Sequence, residues 1–215
     1  MPAAKFITFE GGEGAGKSTQ IRMFAEALRK AGVECAVTRE PGGTPEAEAI
    51  RGLLVSGEPG KMDAMTELLL HYAARRDHVT KSIQPKLAEG TWVVSDRFSD
   101  STLAYQGHGH KLGEEVVKKL HKIVLGKFLP HLTFILDIEV ADGIRRAESR
   151  GAAENRYEKM GHDFHERLRD GFLAIAAAEP KRCVVVNAAR SMAEVHTDII
   201  RHTNERLKLK LAPVG

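Results

Sequence analysis

Eight consecutive positions near the N-terminus, Gly11-Gly12-Glu13-Gly14-Ala15-Gly16-Lys17-Ser18, have the types and spacing needed to hold phosphate. Glycines let the backbone curl until several N–H groups converge on anionic oxygens. The lysine can bridge the outer phosphates, and the serine hydroxyl can reach Mg²⁺. The flanking sequence agrees. A β-prone run at 5–9 precedes the loop, and Ile21, Phe24, Ala25 and Leu28 recur after it at helical spacing until Gly32, so a helix N-terminus points its positive end at the same place. Such a loop binds a nucleoside triphosphate with Mg²⁺. Alone it does not separate a GTPase-like switch, a motor and a small-molecule kinase. No Asn-Lys-x-Asp guanine-reading motif follows, and 215 residues leave little room for motor machinery, which favours a kinase.

Arginines supply the next layer of chemistry. Arg39 follows a strand-like run and Arg51 lies one helix later; paired guanidinium donors at such positions suit an anionic acceptor, although Arg51 taken alone reads equally well as a solvated helix face. Arg97 directly follows Asp96 at a strand end, where the carboxylate can organise Mg²⁺ or its waters. Glu13 stands inside the phosphate loop, where a carboxylate repels a polyphosphate, so it carries a second duty. A further cluster, Arg145, Arg146, Arg150 and Arg156, surrounds Gly151-Ala152-Ala153; a positioned arginine there could stabilise transferring charge, although the stretch also reads as a basic, solvated helix and loop. His108-x-His110 and His162-x-x-His165 have no carboxylate or cysteine partners at ligand spacing and are read as surface histidines.

Four segments in order, the loop from Phe9 to Thr19, Thr38-Arg39-Glu40-Pro41-Gly42-Gly43-Thr44, Asp96-Arg97-Phe98 and Ser101-Thr102-Leu103-Ala104-Tyr105-Gln106-Gly107, resemble the thymidylate kinase family. The resemblance implies phosphorylation of dTMP by ATP with Mg²⁺. It assigns Gly11, Gly12, Glu13, Gly14, Ala15, Gly16, Lys17, Ser18 and Thr19 to ATP, Arg146 to adenine, and Ser18 and Asp96 to the metal. Arg39, Arg51 and Arg97 would surround the acceptor phosphate, and Glu13 would face the deoxyribose 3′-hydroxyl. Leu70-His71-Tyr72-Ala73-Ala74-Arg75 resembles the family's base pocket: Arg75 would meet a thymine carbonyl, and His71 stands where phenylalanine usually stacks, with Tyr72 one residue away. Thr102, Tyr105 and Gln106 would close the pocket, Tyr105 by crowding a 2′-hydroxyl. Gly14 occupies the position that carries an arginine in the eukaryotic-like form, so transition-state charge falls to a lid at about 146–158, with Arg156 the best match and Arg150 second. Lys17, Arg97, Arg156, Arg150 and Glu13 are thus the catalytic set. A kinase for another deoxynucleotide or nucleoside, or a GTPase-like switch, remains as the alternative.

The elements that must position these residues follow a simple alternation. Strand-length apolar runs at 5–9, 33–38, 92–95, 132–137 and 183–186 alternate with helical patterns at 45–56, 66–88, 112–125, 140–149, 160–178 and 191–208, Pro85 ending or kinking the 66–88 helix. Continuous rather than alternating apolar strands are buried on both faces. The expectation is an α/β P-loop NTPase fold, a five-stranded parallel sheet flanked by helices on both faces, as one domain spanning 1–215, with ligands at the strand carboxyl ends. With 42% hydrophobic and 28% charged residues and a net charge of +3, the chain reads as soluble and cytoplasmic, with no nucleic acid or membrane partner. No signal-peptide pattern opens it. Cys35 and Cys183 have no metal or redox spacing and are expected as reduced core residues. Apolar residues to spare around 62–70 resemble the helices through which the family forms homodimers.

Overall fold

A computed structural model describes residues 3–149, 156–157 and 159–214. Five parallel strands, β1 (Phe6–Glu10), β2 (Cys35–Arg39), β3 (Trp92–Asp96), β4 (Leu132–Asp137) and β5 (Cys183–Asn187), form one sheet in the order β2-β3-β1-β4-β5. Because successive side chains point to opposite faces, each apolar run feeds two cores. Ile7, Phe9, Val94, Phe134 and Leu136 pack against α1 (Lys17–Lys30) and α9 (Met192–Leu207). Phe6, Val93, Ile135 and Cys183 pack on the other side with α3 (Ala64–His78), α6 (Glu114–Leu125) and α8 (His162–Ala178). The remaining helices are α2 (Pro45–Val55), α4 (Gln84–Ala88), α5 (Ser99–Thr102) and α7 (Val140–Glu148). Cys35 and Cys183 are both buried free thiols.

Three departures from the expected elements have physical causes. The single helix expected at 66–88 starts at Ala64, where the Asp63 carboxylate accepts the Met65 and Thr66 N–H groups. It then widens into a π-helical turn, Val79–Ile83, in which the Gln84 N–H reaches back five residues to the Val79 carbonyl. Pro85 follows directly; it has no N–H to give and crowds the preceding turn, so the helix shifts register instead of stopping. The third departure is a helical segment where only a motif was visible. Helix α5 continues as a π turn, Leu103–Gly109, that buries Tyr105 and Gln106. The bounds of β4 are as expected, and those of the other four strands differ by one or two residues. No helix among the described residues is long and apolar enough to cross a membrane.

Candidate active site

The glycine-rich loop joins the end of β1 to the start of α1, where Gly16 adopts a left-handed conformation with φ 86°. Gly14 has φ 70°, and a Cβ built there would lie 1.9 Å from the carbonyl oxygen of Gly143 in α7. An arginine cannot replace it without displacing that helix, so the missing basic group of this loop is fixed by packing. Lys17 is buried, its ammonium donating to the carbonyls of Gly11 (3.1 Å) and Gly12 (2.8 Å). Burial, then the neighbouring Arg97, lowers its pKa to about 8. Ser18 donates to Asp96 Oδ2 at 2.9 Å, across from β3. These two oxygens at the loop mouth fit an Mg²⁺ ion that keeps several waters and takes its other ligands from phosphate. Thr19 is half-buried beside them.

Next to the loop opens a pocket of about 470 Å³, its open mouth included. Glu13, Arg51, His71, Arg75, Arg97, Thr102, Tyr105 and Gln106 all line it. Arg97 links loop and pocket. Its φ of 69° turns it out of the strand; Nη1 donates to Gly11 O (3.0 Å) and Ser101 Oγ (3.1 Å), and Nη2 to Glu13 Oε1 (2.9 Å). Tyr105 donates its hydroxyl to the same Glu13 oxygen at 2.7 Å. Burial would raise the Glu13 pKa, but Arg97, Lys17 and the Tyr105 hydroxyl hold it at about 2. Arg51 donates to Pro41 O at 2.9 Å. Arg75 is fully enclosed, Nε on Glu40 Oε2 (2.6 Å) and Nη2 on Phe98 O (3.1 Å) and Thr102 Oγ1 (2.9 Å). His71 is buried with Nε2 3.2 Å from the Tyr157 hydroxyl; burial and then Arg75, Arg156, Arg97 and Arg51 push its pKa down to about 3, so its ring is neutral. His71 faces the pocket, whereas Tyr72 packs in the core with its hydroxyl toward Val117 O.

Two expected placements differ, those of Arg39 and Arg156. Arg39 does not line this pocket: it is exposed, paired with Glu48 Oε2 at 3.0 Å, and lies in the adjoining cleft with Ser18 and Asp96. Arg146 donates to the carbonyls of Ala188 (2.9 Å) and Ala189 (3.3 Å) beyond β5, one turn after the glycine that touches the loop. Arg156, expected to close on the transferring phosphoryl, is turned elsewhere and is 1% exposed. Its Nε and Nη2 donate to Leu54 O (3.1 and 3.0 Å), its backbone N–H to Val55 O (3.0 Å), and its Nη1 to Glu67 Oε1 (2.5 Å). The guanidinium satisfies one orphan carbonyl at the C-terminal end of α2, the backbone N–H satisfies the next, and the cation neutralises a carboxylate in the first turn of α3. Arg150 lies outside the described residues.

Four residues of the site had carried no assignment. Glu40 stood inside a quoted motif; it accepts from Arg75 and lies 3.0 Å from His78 Nδ1. Glu10, at the end of β1, accepts from the Phe98 N–H (2.7 Å) and the Ser101 hydroxyl (2.5 Å), clamping the Arg97 turn to the loop strand; burial and Asp100 push its pKa up to about 8. Tyr157 lines the pocket, with its ring edge-on to Tyr105. Glu67 is buried beneath it. A carboxylate in a strand end or a helix first turn reads from sequence as surface or cap, and only the tertiary contacts give it a partner.

The sequence model of the thymidylate kinase family matches residues 9–199. A thymidylate kinase from Caulobacter vibrioides is 52% identical over 209 residues, covering 97% of this chain and all of that protein. One from a Bradyrhizobium species is 47% identical, over 94% of this chain and 91% of that one. The crystal structure of thymidylate kinase from Ehrlichia chaffeensis superposes with a TM-score of 0.75 at 36% identity, covering 94% and 99% of the two chains.

Proposed function

The chain belongs to the thymidylate kinase family, and from that membership we infer that it transfers the γ-phosphoryl group of ATP to the 5′-phosphate of dTMP, giving ADP and dTDP. The observation that carries this reading is the Arg97 bridge, which ties the phosphate loop to a pocket lined by Arg51, Arg75 and Gln106. Two guanidinium groups, Arg51 and Arg97, hold the acceptor phosphate with an oxygen facing the loop; Glu13 takes the deoxyribose 3′-hydroxyl, and Tyr105 crowds a 2′-hydroxyl. His71 stacks on the base as a neutral ring, and Arg75 meets its carbonyl. Backbone N–H groups of 11–19 and Lys17 cradle the donor phosphates, and Arg146 lies against adenine. Ser18 and Asp96 would hold Mg²⁺ together with water, and the ion would supply charge neutralisation on the donor phosphates.

An acceptor phosphate oxygen attacks the γ-phosphorus as its bond to the β,γ-bridging oxygen breaks, and ADP leaves with that electron pair. Positioning and charge stabilisation dominate such chemistry, so no strong base is needed. The lid at about 146–158 supplies the remaining cation. With Arg156 committed to Glu67, Arg150 is the arginine we assign to the transferring charge. Arg39, next to Ser18 and Asp96, approaches the phosphates from the adjoining cleft. The chain acts as one cytoplasmic domain, with no nucleic acid or membrane partner, and as a homodimer. Ion-exchange analysis of products tests this: dTDP should appear mole for mole with ADP, and ADP formed without dTDP would contradict it.

A further inference from the structure

Gln106 is fully buried and lines the acceptor pocket. Its amide can present either an N–H or an oxygen to a ligand, and neighbouring groups decide which. Glu67 is that neighbour. It sits in the first turn of α3 with 0% exposure. Its Oε1 takes Arg156 Nη1, and its Oε2 takes the Tyr157 hydroxyl (3.0 Å) and Gln106 Nε2 (3.3 Å). An ionised carboxylate only accepts, so turning the amide over would set oxygen against oxygen in a water-poor interior. Gln106 Oε1 is therefore held away from Glu67, and among the described residues it has no hydrogen-bond partner. The same pocket contains a second unpartnered buried group, Arg75 Nη1, whose other nitrogens are engaged by Glu40, Phe98 and Thr102. One acceptor and one donor are thus left over among the buried residues that line the pocket.

We infer that Glu67 is a specificity-determining positioning residue: by fixing the Gln106 amide it commits the pocket to pyrimidines with an N3–H beside a C4 carbonyl. The inference rests on the acceptor assignment above. Thymine and uracil give N3–H to Gln106 Oε1 and the C4 oxygen to Arg75. Cytosine offers a lone pair at N3 and amino hydrogens at C4, the reverse at both points, so each contact becomes a buried mismatch. Sites that read a polar group this way discriminate strongly, on the order of 10³-fold or more, because the wrong ligand leaves buried groups unpaired.

The test is kcat/KM for dTMP, dUMP and dCMP in the wild type and in Glu67→Gln, Gln106→Leu and the double variant, with folding checked by circular dichroism. Glu67→Gln can donate or accept, so the Gln106 amide is released. The dTMP-to-dCMP ratio should fall at least about tenfold, with dUMP tracking dTMP. In the Gln106→Leu background the Glu67 substitution should leave the ratio unchanged. Should Glu67→Gln not fold, Glu67→Asp keeps the charge beside Arg156 while drawing the carboxylate back from Gln106, and a threefold or greater narrowing is expected. A folded Glu67 variant that loses activity equally toward all three acceptors would make Glu67 a strut and overturn the inference. Wild-type enzyme that fails to use dTMP would overturn the acceptor assignment itself, which distinguishes the two failures.

Discussion

His71, proposed to stack on the base, has surroundings that give it a measurable signature. Four arginines and full burial hold its pKa near 3, against an ordinary value of about 6.5. Between those values the unfolded chain binds a proton that the folded chain refuses. Its contribution to stability is therefore fully present above about pH 6.5 and is lost as the pH falls toward 3. Urea unfolding of the wild type and His71→Phe at several pH values from 7 to 4.5 should show the wild type losing stability faster, by up to about 1.4 kcal/mol per pH unit. Parallel acid limbs in the two proteins would contradict the depressed pKa. Sequence made the position visible, because it lies one helical turn before Arg75. It could not show that the ring would be neutral, since the arginines around it come from 51, 97 and 156 as well.

At the scale of elements, Arg156 and Tyr157 are held to α2 and α3, and Tyr157 lines the proposed acceptor pocket. Arg156→Ala leaves Glu67 buried without its cation, a change that costs on the order of 3–5 kcal/mol when a buried pair is broken. The expected result is a clearly lowered Tm together with a raised KM for dTMP. Arg150→Ala should instead lower kcat by about a hundredfold with Tm and the dTMP KM nearly unchanged. Steady-state kinetics beside thermal unfolding separates the two, and an Arg156→Ala protein of normal Tm but collapsed kcat would return that residue to the transferring phosphoryl. The strands and most helices were legible because continuous apolar runs and 3.6-residue spacing follow directly from burial. Helix α5 and its π turn were not, because Ser99-Asp100-Ser101-Thr102 is polar yet buried, its apolar pattern replaced by hydrogen bonds to Glu10, Arg75 and Arg182. The Arg156 placement was hidden for the same kind of reason: an arginine-rich stretch looks alike whether its members face phosphate or cap a distant helix.

Over the whole molecule, the phosphate loop, the Asp96-Arg97 turn and the α5 segment converge at the carboxyl ends of β1 and β3, where a parallel sheet places its ligands. Away from that edge, α2, α3 and α6 pack together and leave Leu53, Met65, Leu69 and Ile123 exposed, Ile123 at 80%. Apolar side chains gathered on adjoining helices fit the proposed homodimer. Light scattering should give twice the chain mass, and Leu69→Glu with Ile123→Glu should give a folded monomer; a wild type that is monomeric at micromolar concentration would contradict it. The central claim, an ATP-driven kinase whose acceptor is dTMP, is tested most directly by ADP release coupled to NADH oxidation across dTMP, dCMP, dAMP and dGMP at saturating Mg·ATP. The account predicts release that depends on the acceptor, with kcat/KM for dTMP exceeding each of the other three by about a hundredfold or more. Release of ADP at the same rate with no acceptor, or faster turnover of another monophosphate than of dTMP, would contradict it.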